Sequence, residues 1–305
     1  AMALRPGRRL ILSQVDNFPT DLYMVQGLAT LLGPDRCKLR TVPESELLQA
    51  LDDDVAVLLL TQVDFRSGAA HDMPGLTRAA HEAGALVLWD LAHSAGVMPL
   101  QLDSWGVDMA VGCGYKFLNG GPGAPAFLYL ARDHPDRVQQ PLTGWMGHRR
   151  AFDFAGDYDP APGIAHFLSG TPGILGMAAL DEALDLFDGL DLAAVRQKSL
   201  ALTGVFMTAL QQSPALDEFN CLTPENTERR GSQVSLAHEE GHAIAQALIA
   251  AGIIVDFRAP DIVRFGFSPM YNSFADVERA IDTLTSIMQS GLYKDPAYRL
   301  RARVT

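Results

Sequence analysis

Two polar residues, Asp90 and Lys116, each follow a short apolar run, and 26 positions separate them. Asp90 ends the run ALVLW, and Lys116 follows the run MAV and the sequence GCGY. A lysine amine forms a Schiff base with an aldehyde cofactor, and a carboxylate keeps a pyridine nitrogen protonated, which makes the ring an electron sink. The pair therefore predicts a site for pyridoxal 5'-phosphate (PLP), with Lys116 as the Schiff-base lysine.

The residues around Lys116 suit such a site. Tyr115, directly before the lysine, has a hydroxyl that can move protons or bind a phosphate. The next segment reads NGGPG, and its glycines allow the backbone to approach a ligand closely. The alternative for Lys116 is a surface lysine in a glycine-rich turn. The alternative for Asp90 is an N-cap for a helix from Leu91.

Aromatic and polar side chains also follow the first strand of the chain. Phe18 suits stacking on the pyridine face, and Asp21 or Thr20 suits a hydrogen bond to the ring hydroxyl. The alternative is a helix start with Thr20 or Asp21 as its cap and Phe18 as a hydrophobic staple. His93, three positions after Asp90, lies either beside the ring or in a structural bond to a loop carbonyl.

An arginine in an apolar run indicates an anion site in the second half of the chain. Arg264 lies in the sequence IVRFGF, where a buried guanidinium needs an anion and its planar fork suits a carboxylate. The α-carboxylate of a substrate is one candidate, and an internal salt bridge is the other. Trp145 and His148, in the sequence GWMGH, suit either packing or a pocket wall.

The elements that must position these side chains alternate between strands and helices up to about residue 130. Unbroken apolar strands predict a largely parallel sheet covered on both faces, and ligands gather beyond the carboxyl ends of such strands. Thr61, Asp90 and the stretch before Lys116 lie at such ends. The predicted strands are residues 9–13, 54–61, 84–89, 107–112 and 124–130, and the predicted helices are residues 21–32 and 73–83.

The second half of the chain has a different pattern. Residues 132–169 lose periodicity and form a connecting segment, and Thr171-Pro172 starts a helix over residues 172–188. A long helix over residues 192–211 links two domains. The remainder predicts a small α+β domain with strands 219–222, 231–236, 252–257 and 262–267 and helices 239–250 and 273–289. We therefore expect a large α/β domain over residues 1–190 and a small C-terminal domain over residues 191–305.

Composition excludes several classes of function for the 305 residues. The net charge of −12 argues against a nucleic-acid partner, and no apolar run approaches the roughly 18 residues of a membrane span. Cys37, Cys113 and Cys221 are scattered, without a disulfide framework or the spacing of a metal site. These features predict a cytoplasmic protein without a metal.

Together, the motifs resemble the kynureninases, which are fold-type I PLP enzymes of the class V aminotransferase group. The resemblance covers the chain nearly end to end and keeps the family's order. Its motifs are NFPTDLY, WDLAHSAG, VGCGYKFLNGGPGAPAF, PLTGWMGH, FLSGTPGIL, RGSQVS and DFRAPDIVRFGFSPMYNSF. Tyrosine rather than histidine before the lysine distinguishes this pattern from other class V members.

The resemblance implies a role for each matching residue. Lys116 is the Schiff-base lysine, Asp90 pairs with the pyridine nitrogen, and Tyr115 bonds the phosphate and donates a proton in catalysis. The remaining roles fall to six side chains: Phe18 stacks on the ring, Asp21 and Thr61 contact the cofactor, His93 lies close to it, and Trp145 and Thr171 reach the phosphate from the neighbouring subunit of a homodimer. Arg264 holds the substrate carboxylate.

The implied activity is hydrolysis of L-kynurenine, or of its 3-hydroxy form, to anthranilate or 3-hydroxyanthranilate and L-alanine. This reaction belongs to tryptophan catabolism, the kynurenine pathway and NAD biosynthesis. The family's phosphate-cradling loop would lie upstream of Ala1, so a chain that begins there is expected to bind PLP weakly and to have little activity. The alternatives are a non-catalytic chain of the same fold and a cysteine desulfurase, which would need Cys113 as its nucleophile.

Overall fold

The apolar runs of the first half form a six-stranded sheet with the order β2-β1-β3-β4-β5-β6. All neighbouring strands are parallel except the β5–β6 pair at one edge, which is antiparallel. β3 reads VAVLLLT and is buried along its whole length, as expected for a strand covered on both faces. The strands are β1 (Leu10–Gln14), β2 (Lys38–Val42), β3 (Val55–Thr61), β4 (Leu86–Asp90), β5 (Met109–Cys113) and β6 (Ala126–Leu130). The predicted α/β class with a mostly parallel sheet is confirmed, although β2 was not predicted.

The helices α1 (Pro19–Leu32), α2 (Met73–Glu82) and α3 (Ile174–Leu184) accompany this sheet. α1 begins with a proline, and its N-cap position is Phe18, without a side-chain cap. The interpretation of Thr20 or Asp21 as the helix cap is therefore wrong. α3 begins two residues later than predicted, because Gly173 occupies its N-cap position.

The buried carboxylate of Asp108 forms hydrogen bonds at the amino ends of β4 and β5. Asp108, directly before β5, accepts hydrogen bonds from the Val87 backbone N–H at 2.8 Å, and its two oxygens lie 2.8 Å and 2.7 Å from His81 Nε2 and His134 Nε2. The side chain of Trp89 is buried on β4 and donates to Thr77 Oγ1 at 3.2 Å. The contacts of Asp108 fix β4 and β5 at their amino ends, and Trp89 ties β4 to α2. The carboxyl ends of both strands carry the residues with predicted chemistry.

The second half of the chain forms a four-stranded antiparallel sheet with the order β7-β8-β10-β9. A capping box of Ser273 and Asp276 starts α6. The predicted strand over residues 252–257 is largely wrong, because Gly252, at φ +84°, follows the end of α5 and the strand begins only at Asp256. The strands are β7 (Asn220–Cys221), β8 (Gln233–Ala237), β9 (Asp256–Arg258) and β10 (Ile262–Gly266), and the helices are α4 (Leu192–Gln212), α5 (Gly241–Ala250), α6 (Phe274–Ser290) and α7 (Pro296–Arg299).

The computed structural model describes residues 1–135 and 137–300, which divide into two units. The first unit contains the six-stranded sheet. The second contains the four-stranded sheet, together with Val63–His71 and Gly96–Pro99 from the first half of the sequence. Short 3-10 helices interrupt the connecting segment of the first unit at Trp145–Gly147, Ala151–Asp153 and Gly163–Phe167. Among the described residues, every helix falls short of the length and apolar character that crossing a bilayer requires.

Candidate active site

The carboxyl ends of three adjacent parallel strands carry the predicted site residues. Thr61 is the last residue of β3 and lies beside Asp90, the last residue of β4. Asp90 in turn lies beside Val111 of β5, and the chain leaves β5 at Cys113 and reaches Lys116 three positions later. The sheet register therefore brings Thr61, Asp90 and the lysine loop to one edge, as the sequence predicts.

Lys116 lies half-buried among the side chains that the motifs single out. Its Nζ is 3.2 Å from His93 Nε2, 5.9 Å from the centre of the Phe18 ring and 5.5 Å from the centre of the Tyr115 ring. A turn holds the lysine backbone, because the Asn119 N–H donates to the Lys116 carbonyl at 2.9 Å. The amine is thus fixed between two aromatic rings and an imidazole.

Two of the glycines around Lys116, Gly114 and Gly120, are required by close packing against residues 124–125 and α3. A Cβ at Gly114 would lie 2.7 Å from the Pro125 carbonyl oxygen and 2.9 Å from Leu180 of α3. At Gly120, a Cβ would lie 2.8 Å from the Ala124 Cβ. Side chains at these positions would push the lysine loop away from α3. The sequence predicted close backbone approach to a ligand here, and the structure shows close approach to residues 124–125 and to Leu180 of α3.

Asp90 is a buried carboxylate, with 7% of its surface exposed. Its Oδ1 accepts a hydrogen bond from the Ala92 N–H at 2.8 Å, but a turn rather than a helix follows, so the helix-cap interpretation is wrong. Burial raises the pKa of Asp90, against the opposing effects of the Ala92 hydrogen bond and the positive charge of Lys116. A cation placed beside this carboxylate would offset the cost of its burial.

Asp21 and Thr61 join a hydrogen-bond network that the sequence analysis only partly predicted. Asp21 Oδ2 lies 3.1 Å from Thr61 Oγ1 and 3.0 Å from Asn17 Nδ2. Burial and the negative charge of Asp90 raise the pKa of Asp21 to about 6, against the hydrogen bonds from Thr61 and Asn17. Asn17 was missed as a site residue, although its position four residues before Asp21 was a usable signal.

Trp145 and Thr171 lie in the segment between β6 and α3. The Trp145 ring packs against Phe152, at 5.5 Å between ring centres, and against Phe154, at 6.0 Å. Thr171 is exposed two residues before the N-cap of α3. His148 contacts the Tyr158 ring at 5.9 Å, which supports a packing role for it. That Trp145 and Thr171 contact the cofactor phosphate of a neighbouring subunit stays a prediction.

Arg264 lies on β10 of the second unit and is 9% exposed. Its Nε and Nη2 donate to Asp256 Oδ2 at 3.2 Å and 2.7 Å, and its Nη1 donates to the Phe65 carbonyl at 2.8 Å. The internal salt bridge, which was the alternative interpretation, is therefore present. Within the described residues, these bonds use three of the five guanidinium hydrogens. One hydrogen remains on each terminal nitrogen, and a carboxylate can accept hydrogen bonds from both terminal nitrogens of a guanidinium.

The residues of the strand-end site fit PLP by their chemistry. Lys116 supplies the primary amine that an aldehyde requires, and Phe18 supplies an aromatic face within 6 Å of that amine. Asp90 supplies a buried carboxylate whose burial a protonated ring nitrogen would offset. This combination matches the needs of a pyridine cofactor with an aldehyde group.

Comparisons of sequence give a consistent set of relatives. The profile of the kynureninase C-terminal domain matches residues 195–284. The chain is 51% identical to a kynureninase of Deinococcus radiodurans over 289 residues, covering 94% of this chain and 70% of the relative. It is 46% identical to a kynureninase of Burkholderia mallei over 301 residues, covering 98% of this chain and 72% of the relative.

Comparisons of structure show the fold. A cysteine desulfurase of Thermococcus onnurineus superposes with a TM-score of 0.79 at 22% identity, covering 93% of this chain and 73% of that protein. A C-DES variant with glycine covalently linked to its PLP cofactor superposes with a TM-score of 0.79 at 20% identity, covering 91% and 74%. At these identities the likeness extends to the architecture alone.

Proposed function

Because this chain belongs to the kynureninase family, we propose that it hydrolyses L-kynurenine to anthranilate and L-alanine with PLP as its cofactor. The structural observation that carries this proposal is the Lys116 amine between Phe18 and His93 at the strand ends, near the buried Asp90. The chain is a PLP-dependent hydrolase of the kynurenine pathway. The cysteine desulfurase alternative has only the likeness of fold in its favour.

Lys116 and Asp90 carry the central roles of the proposal. PLP, when bound, supplies a ring that withdraws electrons from the α-carbon of the substrate. Asp90 would keep the ring nitrogen protonated, and that positive charge would offset the cost of burying the carboxylate. The Lys116 amine, which would hold the cofactor aldehyde, would also remove and return the α-proton of the substrate. His93, at 3.2 Å from Nζ, is placed to accept or return a proton at that amine.

Tyr115 and Asp21 complete the proposed set of residues. Water adds to the γ-carbonyl of the substrate, and the bond between Cβ and Cγ breaks. Tyr115, 49% exposed beside Lys116, donates a proton to the leaving β-carbon. Asp21 and Thr61 would hold the cofactor ring through their hydrogen-bond network, and Phe18 would supply an aromatic face for it. Arg264 takes the substrate carboxylate on the two hydrogens that Asp256 and Phe65 leave.

The function is tested by identifying the products. The PLP-supplemented chain is incubated separately with L-kynurenine, 3-hydroxykynurenine and L-cysteine. Whatever the rate of turnover, we expect the products from L-kynurenine to be anthranilate and L-alanine in equal amounts. The rate with the 3-hydroxy form establishes the ring preference. Sulfur release from cysteine without anthranilate formation would contradict the proposal and favour a desulfurase.

For Arg264→Lys, we expect KM for L-kynurenine to rise by at least about tenfold while the content of PLP stays unchanged. Lysine keeps the positive charge but cannot present two parallel N–H groups, and the lost hydrogen bond to a charged group is worth roughly 1.5–3 kcal/mol. Steady-state kinetics and PLP absorbance measure the two quantities.

Arg258→Lys is the matched control, because Arg258 contacts the same Asp256, at 3.5 Å, but is 40% exposed. It should leave KM nearly unchanged. Unfolding of Arg264→Lys without a change in KM of the folded fraction would assign Arg264 to the internal salt bridge alone.

The homodimer with shared active sites also belongs to the proposal, supported by the exposed apolar side chains of the segment that carries Trp145. Leu142, Phe152 and Phe154 lie in that segment, and Ile174 and Leu175 lie at the adjoining start of α3. All five are between 65% and 88% exposed. Large exposed apolar patches mark protein interfaces. A cytoplasmic location stays a prediction.

Shared sites make a testable prediction for mixed dimers. We expect Lys116→Ala alone to be inactive and Trp145→Ala alone to be weakly active. Mixed in equal amounts and refolded together, they should recover up to about a quarter of wild-type activity. Half of the dimers then combine both chains, and one of their two sites is intact. An absence of recovery in confirmed mixed dimers would mean that Trp145 serves its own chain or none.

A further inference from the structure

Asn17 is a buried amide in the turn between β1 and α1. It is 5% exposed, and its backbone N–H donates to the Gln14 carbonyl at 3.1 Å. Its side chain bridges two elements, because Oδ1 accepts from Thr61 at the end of β3 while Nδ2 donates to Asp21 in the first turn of α1. No role follows for Asn17 from the motifs described above.

The contacts of Asn17 determine which way its amide group faces. Oδ1 lies 2.9 Å from the Thr61 backbone nitrogen, and a backbone N–H can only donate. The oxygen of the amide must therefore face Thr61, which leaves the NH2 group facing Asp21 Oδ2 at 3.0 Å. Asn17 consequently presents a donor to Asp21 in every state of the network.

The Thr61 hydroxyl is the adjustable part of this network. It has one hydrogen and lies within reach of two acceptors, Asn17 Oδ1 at 2.9 Å and Asp21 Oδ2 at 3.1 Å. When Asp21 is ionised, the hydroxyl can donate to its carboxylate. When Asp21 is protonated on Oδ2, its O–H can donate a hydrogen bond to Thr61 Oγ1. The Thr61 hydroxyl then donates its own hydrogen to Asn17 Oδ1. The same heavy-atom positions serve both charge states.

From this geometry we propose that Asn17 is a positioning residue, which holds the Asp21 carboxyl and the Thr61 hydroxyl in one arrangement in both charge states of Asp21. The value of this arrangement for the cofactor rests on the proposed function, whereas the arrangement itself does not. The groups that face Asp21 are Asp90 from β4, Lys116 from the loop after β5, Thr61 from β3 and Asn17 itself.

The test follows the titration of Asp21 in the full chain before any cofactor is added. The carboxyl carbons of aspartate are labelled with 13C, and the Asp21 signal is assigned from its loss in Asp21→Asn. In the wild type we expect a midpoint near the pKa of about 6. Asn17→Leu removes the donor that favours the charged form, so the midpoint should rise by roughly one to two pH units.

Ser13→Ala is the matched control. Ser13 is fully buried near the end of β1 and donates to the Leu59 carbonyl at 2.7 Å, so its loss also removes a tie between β1 and β3. This variant should leave the Asp21 midpoint unchanged. Aspartate has nearly the same shape as asparagine, so Asn17→Asp is the variant to use if Asn17→Leu does not fold. Its new carboxyl and Asp21 should titrate as a coupled pair in two steps.

An unchanged Asp21 midpoint in folded Asn17→Leu, or an equal rise in Ser13→Ala, would overturn the proposal. A single-step titration of Asn17→Asp at the wild-type midpoint would do the same. These outcomes are independent of PLP chemistry, because they are read from the chain alone. Failure of the proposed function would appear separately, as an absence of covalent PLP on Lys116.

Discussion

Lys116→Ala is expected to abolish covalent attachment of PLP and, with it, all measurable release of anthranilate. The reason is chemical, because the aldehyde of PLP needs a primary amine, and the Lys116 amine lies at the strand ends beside Phe18 and His93. Borohydride fixes the Schiff base in place. Peptide mapping of the reduced protein then identifies the lysine that carries the label.

The chain offers its own controls for this experiment, since it has four lysines: Lys38, Lys116, Lys198 and Lys294. Lys198 Nζ donates to the Pro269 carbonyl at 2.7 Å, and Lys294 packs over the Tyr293 ring. Lys198→Ala should therefore retain the label and the activity. Label on any lysine other than Lys116 in the wild type would refute the assignment.

Asp90→Asn is expected to lower kcat by on the order of a hundredfold or more while the fold survives. The change removes a charge-assisted hydrogen bond to the ring nitrogen, worth up to about 3 kcal/mol, and each 1.4 kcal/mol corresponds to about tenfold. Asparagine keeps an oxygen for the Ala92 N–H, so the turn after β4 has no reason to change. Single-turnover kinetics on PLP-saturated protein measure the loss.

Asp108→Asn is the control for Asp90→Asn, because it removes a buried carboxylate that has no proposed part in catalysis. Asp108 is buried next to β5 at the opposite ends of the strands, where it binds His81 and His134. Its replacement should lower the thermal midpoint and leave kcat of the folded protein nearly unchanged. If Asp90→Asn keeps a near wild-type kcat, the role of Asp90 is only structural, through its hydrogen bond to the Ala92 N–H in the turn after β4.

The sequence was sufficient to predict the strand-end site because parallel strands leave a simple pattern. An unbroken apolar run that stops at a polar residue, as before Thr61 and Asp90, indicates both a buried strand and the side chain at its carboxyl end. The contacts of Lys116 with Phe18, Tyr115 and His93 agree with that prediction. The other strands of this sheet, β1, β5 and β6, were also predicted from their apolar runs, whereas β2 was not.

The sequence was less informative where partners are distant along the chain. Asn17 reads as an ordinary turn residue until the register of β1 and β3 brings Thr61 to it. Arg264 reads equally well as a substrate ligand or an ion pair, because the position of Asp256 on the neighbouring strand depends on the pairing of β9 with β10. β2 was missed because its residues, KLRTV, are mostly polar, as is common for an edge strand.

The residues of the site come from strand ends that are far apart in the sequence, and this distance affects how the protein folds. Phe18 and Lys116 are nearly a hundred positions apart, and they meet only after β1, β3, β4 and β5 have paired in parallel register. Non-local pairing of this kind folds slowly, since the entropy of closing long loops is lost before the contacts form. The site is therefore complete only when these four strands have paired, and a ligand that binds there stabilises the paired sheet over states that lack this pairing. The colour of bound PLP would then report on completion of folding as well as on catalytic competence.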